Sequence, residues 1–252
     1  MAGHNKWSKV KHIKGAADAK KGKVFTKLVK ELMVAARTGG ADPDSNARLR
    51  AAIVAAKAAS MPKDNIERAI KKGTGEVQDG SSIEEAAYEA YAPGGVAVIV
   101  EAATDNKNRT VAELRNLFKN NGGNLGESGS VAWMFQQCGL LIFDASKYSE
   151  DKVMEVALEA GAQDVNASDG GIEVTTDTTE IYKVKEVFDN VGMHPESAEL
   201  SFVPKNKVKV EDKDTAQKLL KLLELVEDHE DVQKIHANFE MDDALFAELA
   251  GE

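Results

Sequence analysis

Ten lysine and arginine residues fall within the first 37 positions, against two acidic ones: Lys6, Lys9, Lys11, Lys14, Lys20, Lys21, Lys23, Lys27, Lys30 and Arg37. His4, Asn5, Trp7 and His12 stand among them. Ammonium groups neutralise phosphates with little regard to base sequence, an indole stacks on a base or ribose, and imidazole and amide groups donate hydrogen bonds. The chemistry suited to this set is a grip on a polyanion. A second role for Trp7 stays open, in which its ring packs on the protein and anchors the segment.

A second basic group is Thr104-Asp105-Asn106-Lys107-Asn108-Arg109-Thr110, where Lys107 and Arg109 sit between a strand and a helix start. Its polar residues equally suit a turn and helix cap. Lys63 and Arg68, on a predicted helix of the same basic front end, complete the candidate nucleic-acid-binding set.

Catalytic and metal-binding patterns are missing from the sequence. The run Gly122-Gly123-Asn124-Leu125-Gly126-Glu127-Ser128-Gly129 looks like a dinucleotide loop, but a helix precedes it and a strand follows, the reverse of a phosphate-binding turn. Structural turn glycines are expected there. Cys138 has no histidine nearby and adjoins an apolar stretch, which predicts a buried, inert thiol. His194, His229 and His236 lack metal-ligand spacing, and Asp228, Glu230 and Asp231 read as a solvated acidic turn. No catalytic residue, no metal and no cofactor is therefore expected, and the protein is not expected to be an enzyme.

These groups need elements to position them. Phe25, Leu28, Val29, Leu32, Met33 and Ala36 recur at helical spacing from Lys23 onward, placing Lys20, Lys23, Lys27, Lys30 and Arg37 on an outward stripe. Residues 1–22 read as a flexible basic arm. Further helices are predicted over about Asp44 to Ala59 and Lys63 to Lys72, so 23–80 forms a three-helix bundle. Strands follow at about Glu84 to Tyr91 and Val96 to Ala103, joined by Ala92-Pro93-Gly94-Gly95, then a helix from Thr110 to Asn121 and a strand over Val131 to Phe135.

From Gly139 the pattern is strand, helix, strand, strand, helix, strand, ending near Val203, a ferredoxin-like βαββαβ order. A strand over Lys207 to Val210, a helix over Asp214 to Glu227 and a strand over Val232 to Phe239 come after it. The expected architecture is multidomain α+β: residues 81–137 with 205–252 form one α+β domain, into which a ferredoxin-like domain, 138–204, is inserted.

The 252 residues carry 32 Lys and Arg against 42 Asp and Glu, a net charge of -10, which as an average argues against a simple basic DNA-binding module. The average conceals a division. Residues 1–80 hold 17 basic and 8 acidic side chains, and the remainder hold 15 and 34, or +9 followed by -19. A one-ended contact with nucleic acid follows, with the acidic α+β domains left to a protein partner. No apolar run approaches the roughly 20 residues that span a bilayer, so no membrane contact is expected. One cysteine and no signal-like segment make the cytoplasm the expected compartment.

Several ordered blocks carry a family resemblance: Ala2-Gly3-His4-Asn5-Lys6-Trp7-Ser8, Lys20-Lys21-Gly22-Lys23, Met61 to Ile70, Tyr91 to Gly95, Thr104 to Thr110, and Gly129-Ser130-Val131-Ala132-Trp133-Met134-Phe135. In these the chain resembles the YebC/PmpR family, whose mitochondrial relatives are translational activators of a cytochrome oxidase subunit. The resemblance implies a helical N-terminal domain and two α+β domains, the third inserted in the second. It also implies control of gene expression, either as a DNA-binding transcriptional regulator or as a ribosome-associated translation factor that touches rRNA or tRNA and relieves stalling at proline-rich stretches.

Overall fold

Five consecutive residues, Leu32, Met33, Val34, Ala35 and Ala36, are buried, which an amphipathic surface helix does not achieve because its polar face returns every turn. They lie in α1 (Ala17–Gly39) of a computed structural model that describes residues 17–77, 82–168 and 171–251. On one side, Leu32, Met33, Ala35 and Ala36 pack with Leu49, Ala52 and Ala56 of α2 (Ala47–Ala58) and with Ile66 and Ala69 of α3 (Lys63–Gly73). On another, α1 touches strand β2 (Val96–Thr104). It is the central helix of its unit, and each of its large buried side chains contributes about 1.5–3 kcal/mol of apolar transfer.

α1 starts six residues before the predicted Lys23, because Ala17, Ala19 and the lysines favour helix and Gly22 costs only about 1 kcal/mol against alanine. Residues 1–16 of the predicted arm lie outside the described residues. α2 starts at Ala47, not at Asp44. Asn46 caps it, accepting from the Leu49 N–H at 3.0 Å while its Nδ2 donates to Ala35 O at 2.7 Å and Gly40 O at 2.8 Å. This buried amide stitches the end of α1 to the start of α2, which outweighs the charge of Asp44 as a helix start. A β-carbon at Gly73 would stand 2.3 Å from Met33 O, so only glycine allows α3 this close to α1.

Strand β1 (Glu84–Ala92) pairs antiparallel with β2 through the turn Pro93–Gly95. After α4 (Lys107–Asn120), the short β3 (Asn124–Leu125) joins the other edge of β1. A β-carbon at Gly123 would lie 2.5 Å from Tyr91 O. The glycine run is a close-packed turn, held further by the Glu89 carboxylate, which accepts from Gly129 N–H at 2.7 Å and Val131 N–H at 2.6 Å.

The strand predicted over Val131 to Phe135 is absent: Ala132–Met134 is a 3-10 turn, and β4 runs unbroken over Phe135–Phe143. Continuous pairing with β7 (Ser197–Pro204), from Phe135 opposite Pro204 to Ile142 opposite Ser197, carries the strand through Gln136, Gln137 and Gly139. Between them come α5 (Glu150–Ala160), β5 (Asp164–Ser168), β6 (Gly171–Thr176) and α6 (Ile181–Asn190). The antiparallel sheet order is β5-β6-β4-β7, the ferredoxin-like arrangement. Its core joins Leu141, Phe143, Ile172 and Val174 to Val153, Val184 and Phe188.

The tail supplies β8 (Val208–Lys209), α7 (Lys213–Glu227), β9 (Val232–Ala237), β10 (Phe239–Glu240) and α8 (Asp243–Gly251), the last unforeseen in the sequence. β9 pairs beside β2, giving the order β3-β1-β2-β9, so the ferredoxin-like element interrupts the chain of an earlier sheet. By contacts the described chain forms two compact units. One holds the residues up to Val131 with Asp212–Ile235, the other Ala132–Glu211 with the chain from His236. No helix among the described residues is long and apolar enough to cross a membrane.

Candidate nucleic-acid interface

Lys23, Lys27 and Lys30 occupy one face of α1, as their four- and three-residue spacing dictates. That face is not free for a ligand. Lys27 Nζ donates to Glu227 O, Lys30 Nζ donates to Glu230 O at 3.0 Å, and Lys23 lies 3.8 Å from the Asp228 carboxylate. The stripe caps the C-terminal end of α7, where unsatisfied carbonyls and the negative end of the helix dipole attract cations. The expectation of an outward lysine stripe therefore fails for Lys27 and Lys30. The groups that they meet are the protein's own backbone carbonyls, 200 residues along the chain.

The centre of this arrangement is Asp231, expected in a solvated turn but only 2% exposed. Its carboxylate accepts from Lys30 Nζ, from Thr110 Oγ1 at 2.7 Å, from an Arg109 Nη at 3.0 Å and from Thr104 Oγ1 at 3.3 Å. Burial opposes ionisation of Asp231, but the hydrogen bonds from Lys30, Thr110 and Arg109 prevail and hold its carboxyl well below the usual range. The segment Thr104 to Thr110 is thus a structural joint. Asn106 caps α4 by accepting from Arg109 N–H at 3.0 Å, and both threonines turn inward.

The other predicted residues divide. Arg37 donates to Ser82 Oγ at 3.1 Å and Ile83 O at 2.6 Å; Lys107 pairs with Glu84 at 2.6 Å, and Arg109 pairs also with Asp105 at 2.8 Å. Lys63 is exposed and lies 3.5 Å from Glu67. Lys20 and Lys21 fall in the first turns of α1. His4, Asn5, Lys6, Trp7, Lys9, Lys11, His12 and Lys14 lie outside the described residues.

Arg68 is different, since it is exposed and meets no carboxylate among the described residues. It shares that state with Lys71, three residues on and so on the same face of α3, and with Lys57 on the exposed face of α2. Beside Lys57 that face carries Val54, Ala51 and Ala58 and the exposed Arg50, whose Nη1 donates to Pro43 O at 3.1 Å. Lys57 and Lys71 are not among the residues that the sequence singles out, because they fall after the dense lysine run. Their signal was positional, as polar points on helices with alanine or isoleucine on the buried side.

Glu113, His229 and Asp231 bring possible metal-ligating atoms within 4.8 Å of one another. Those atoms already have partners. His229 Nδ1 accepts from Asp231 N–H at 3.1 Å, its Nε2 faces Glu113 Oε2 at 2.9 Å, and Lys30 and Arg109 place positive charge beside Asp231. That electrostatic setting disfavours a divalent cation. Cys138 is buried in β4, and burial, aided by the nearby Glu173 charge, pushes its thiol up to about 11. It is a poor nucleophile.

Residues 5–76 match the model of the TACO1/YebC protein N-terminal domain, and residues 83–239 match that of the TACO1/YebC second and third domain. The chain belongs to the TACO1/YebC family. Among relatives in that family, a protein of Syntrophobacter fumaroxidans named "Probable transcriptional regulatory protein" is 54% identical over 250 residues, covering 99% of this chain and 100% of the other. One from Geotalea uraniireducens, with the same name, is 54% identical over 241 residues and 96% of each chain. The crystal structure of "a Conserved Hypothetical Protein Aq1575" from Aquifex aeolicus superposes with a TM-score of 0.82 at 46% identity, over 90% of this chain and 93% of that one.

Proposed function

We propose that this protein is a nucleic-acid-binding regulator of gene expression that holds phosphate on the outer face of its helical bundle. The observation that carries the reading is the group Lys57, Arg68 and Lys71, exposed cations that meet no carboxylate among the described residues, in a chain of net charge -10. Cations not already held by a carboxylate can displace the counterions condensed on a nucleic acid, so these groups are able to contribute to a phosphate contact. The lysines at positions 6, 9, 11 and 14 add to the same end of the sequence. Relatives named as transcriptional regulators agree with a regulatory role. The acidic remainder of the chain suits a protein partner.

Whether DNA or RNA is held turns on α3. A recognition helix reads bases with its N-terminal residues, yet the first turns of α3 expose Asp64 and Glu67. Those carboxylates oppose entry into a groove. Binding through backbone phosphate suits structured RNA, on the ribosome or in tRNA, at least as well as a promoter, and that is the second reading.

The test is fluorescence anisotropy of labelled duplex DNA and of an RNA hairpin over a salt series, with wild type and the Lys57→Glu/Arg68→Glu/Lys71→Glu variant. Loss of three phosphate contacts should flatten the slope of log K against log salt by roughly 2 to 3. An unchanged slope removes these residues from the interface. Crosslinking in cells then separates the readings, promoter enrichment favouring transcription and rRNA or tRNA enrichment favouring translation.

A further inference from the structure

Trp133 leaves 63% of its surface in solvent, an unusual state for the largest apolar side chain. It lies in the 3-10 turn Ala132–Met134, which is fixed at the main chain. Met134 O accepts from Lys205 N–H at 2.9 Å, Trp133 O accepts from Lys205 Nζ at 3.0 Å, and the next residue, Phe135, is buried. The turn that carries the ring is therefore held at its main chain, with the Lys205 ammonium on the Trp133 carbonyl.

The surrounding charge is specific. Between Ala132 and Glu211 the chain has 7 Lys and Arg against 15 Asp and Glu, and Lys147, Lys183, Lys185 and Lys209 are each paired with a carboxylate. Lys205 and Lys207 are exposed and meet no carboxylate among the described residues. Lys205 thus lies at the turn that carries the exposed indole, with Lys207 two residues further along the chain, while four of the unit's other lysines are paired with carboxylates.

We propose that Trp133, with Lys205 and Lys207, is a binding site for single-stranded nucleic acid, the indole stacking on an unpaired base and the lysines holding the flanking phosphates. A duplex hides its base faces from such a ring, whereas a loop or free end offers them. Two ammonium groups favour a polyanion over a neutral peptide as the occupant. The site uses none of the helical residues assigned above and stands or falls apart from them.

The experiment uses the full chain carrying Trp7→Phe, which leaves Trp133 as the only indole, titrated with a single-stranded 12-nucleotide RNA and with a duplex of the same sequence. Saturable quenching by the single strand, with weaker quenching by the duplex, is expected. Separately, with Trp7 retained, Trp133→Ala should weaken binding of labelled single strand by on the order of tenfold, with Trp133→Phe recovering much of it. Lys205→Glu/Lys207→Glu should lower the salt slope by roughly 1.5. The Lys57→Glu/Arg68→Glu/Lys71→Glu background should still show the quenching, which separates this site from the helical face. Absent quenching, equal affinity of Trp133→Ala and wild type, or quenching by an acidic peptide but not by RNA would each overturn the proposal.

Discussion

The ammonium of Lys30 donates to the buried carboxylate of Asp231, 201 residues further along the chain. Their side chains keep only 13% and 3% of their surface in solvent. With Arg109, Thr104 and Thr110 also on that carboxylate, one buried anion joins α1, the end of β2, the start of α4 and the entry to β9. A lysine that looks like a phosphate ligand in the sequence is a structural member. Its reversal would therefore destabilise the fold and mimic a loss of binding, which is why the proposed test uses Lys57, Arg68 and Lys71.

Asp231→Asn keeps the shape and removes the charge, stranding Lys30. Breaking a buried pair in this way costs about 3–5 kcal/mol. In urea melts, the double variant Lys30→Met/Asp231→Asn should lose less than the sum of the two single variants; strict additivity would mean that the pair is not coupled.

Stability should fall with acid. Because the folded Asp231 carboxyl ionises below its unfolded value of about 3.9, the unfolded chain binds the proton first as pH drops. The contribution is complete above that value and is lost as pH falls through the folded one. Thermal melts between pH 6 and pH 2 should show a steeper decline in wild type than in Asp231→Asn.

Gly73→Ala should destabilise the helical bundle by about 1–3 kcal/mol, since the added methyl meets backbone at Met33 O that has no rotamer to change. Hydrogen exchange should quicken in α1 and α3. Protection equal to wild type would show that the helices separate without penalty.

Glu89→Gln weakens two charge-assisted contacts to the loop ahead of Val131, each worth about 1.5–3 kcal/mol. Limited proteolysis should then cut between Gly126 and Val131 while circular dichroism stays native. A cleavage rate matching wild type would show that the carboxylate does not anchor the loop.

Cys138 should resist iodoacetamide at neutral pH in the folded protein and react fully in denaturant, because burial keeps the thiol protonated. Rapid labelling of native protein would contradict its buried position.

The sequence by itself determined the elements whose cause is local. Helical spacing in α1 to α3, the Pro93-Gly94-Gly95 turn and the βαββαβ order all follow from residue period and turn chemistry, and each stands in the structure near its predicted place. Local signals also limited that reading: they place one strand up to Phe135 and another after Gly139, whereas pairing with β7 carries a single strand through Gln136, Gln137 and Cys138. What only the tertiary structure decided is which cations are spent. Lys27 and Lys30 look the same as Lys57 and Lys71 in sequence, since a charge carries no mark of its partner. Folding brings the acidic end of α7 against the first pair and leaves the second in solvent. The reason is physical: helix periodicity is set within a few residues, whereas a buried ion pair depends on groups that only the folded chain brings together.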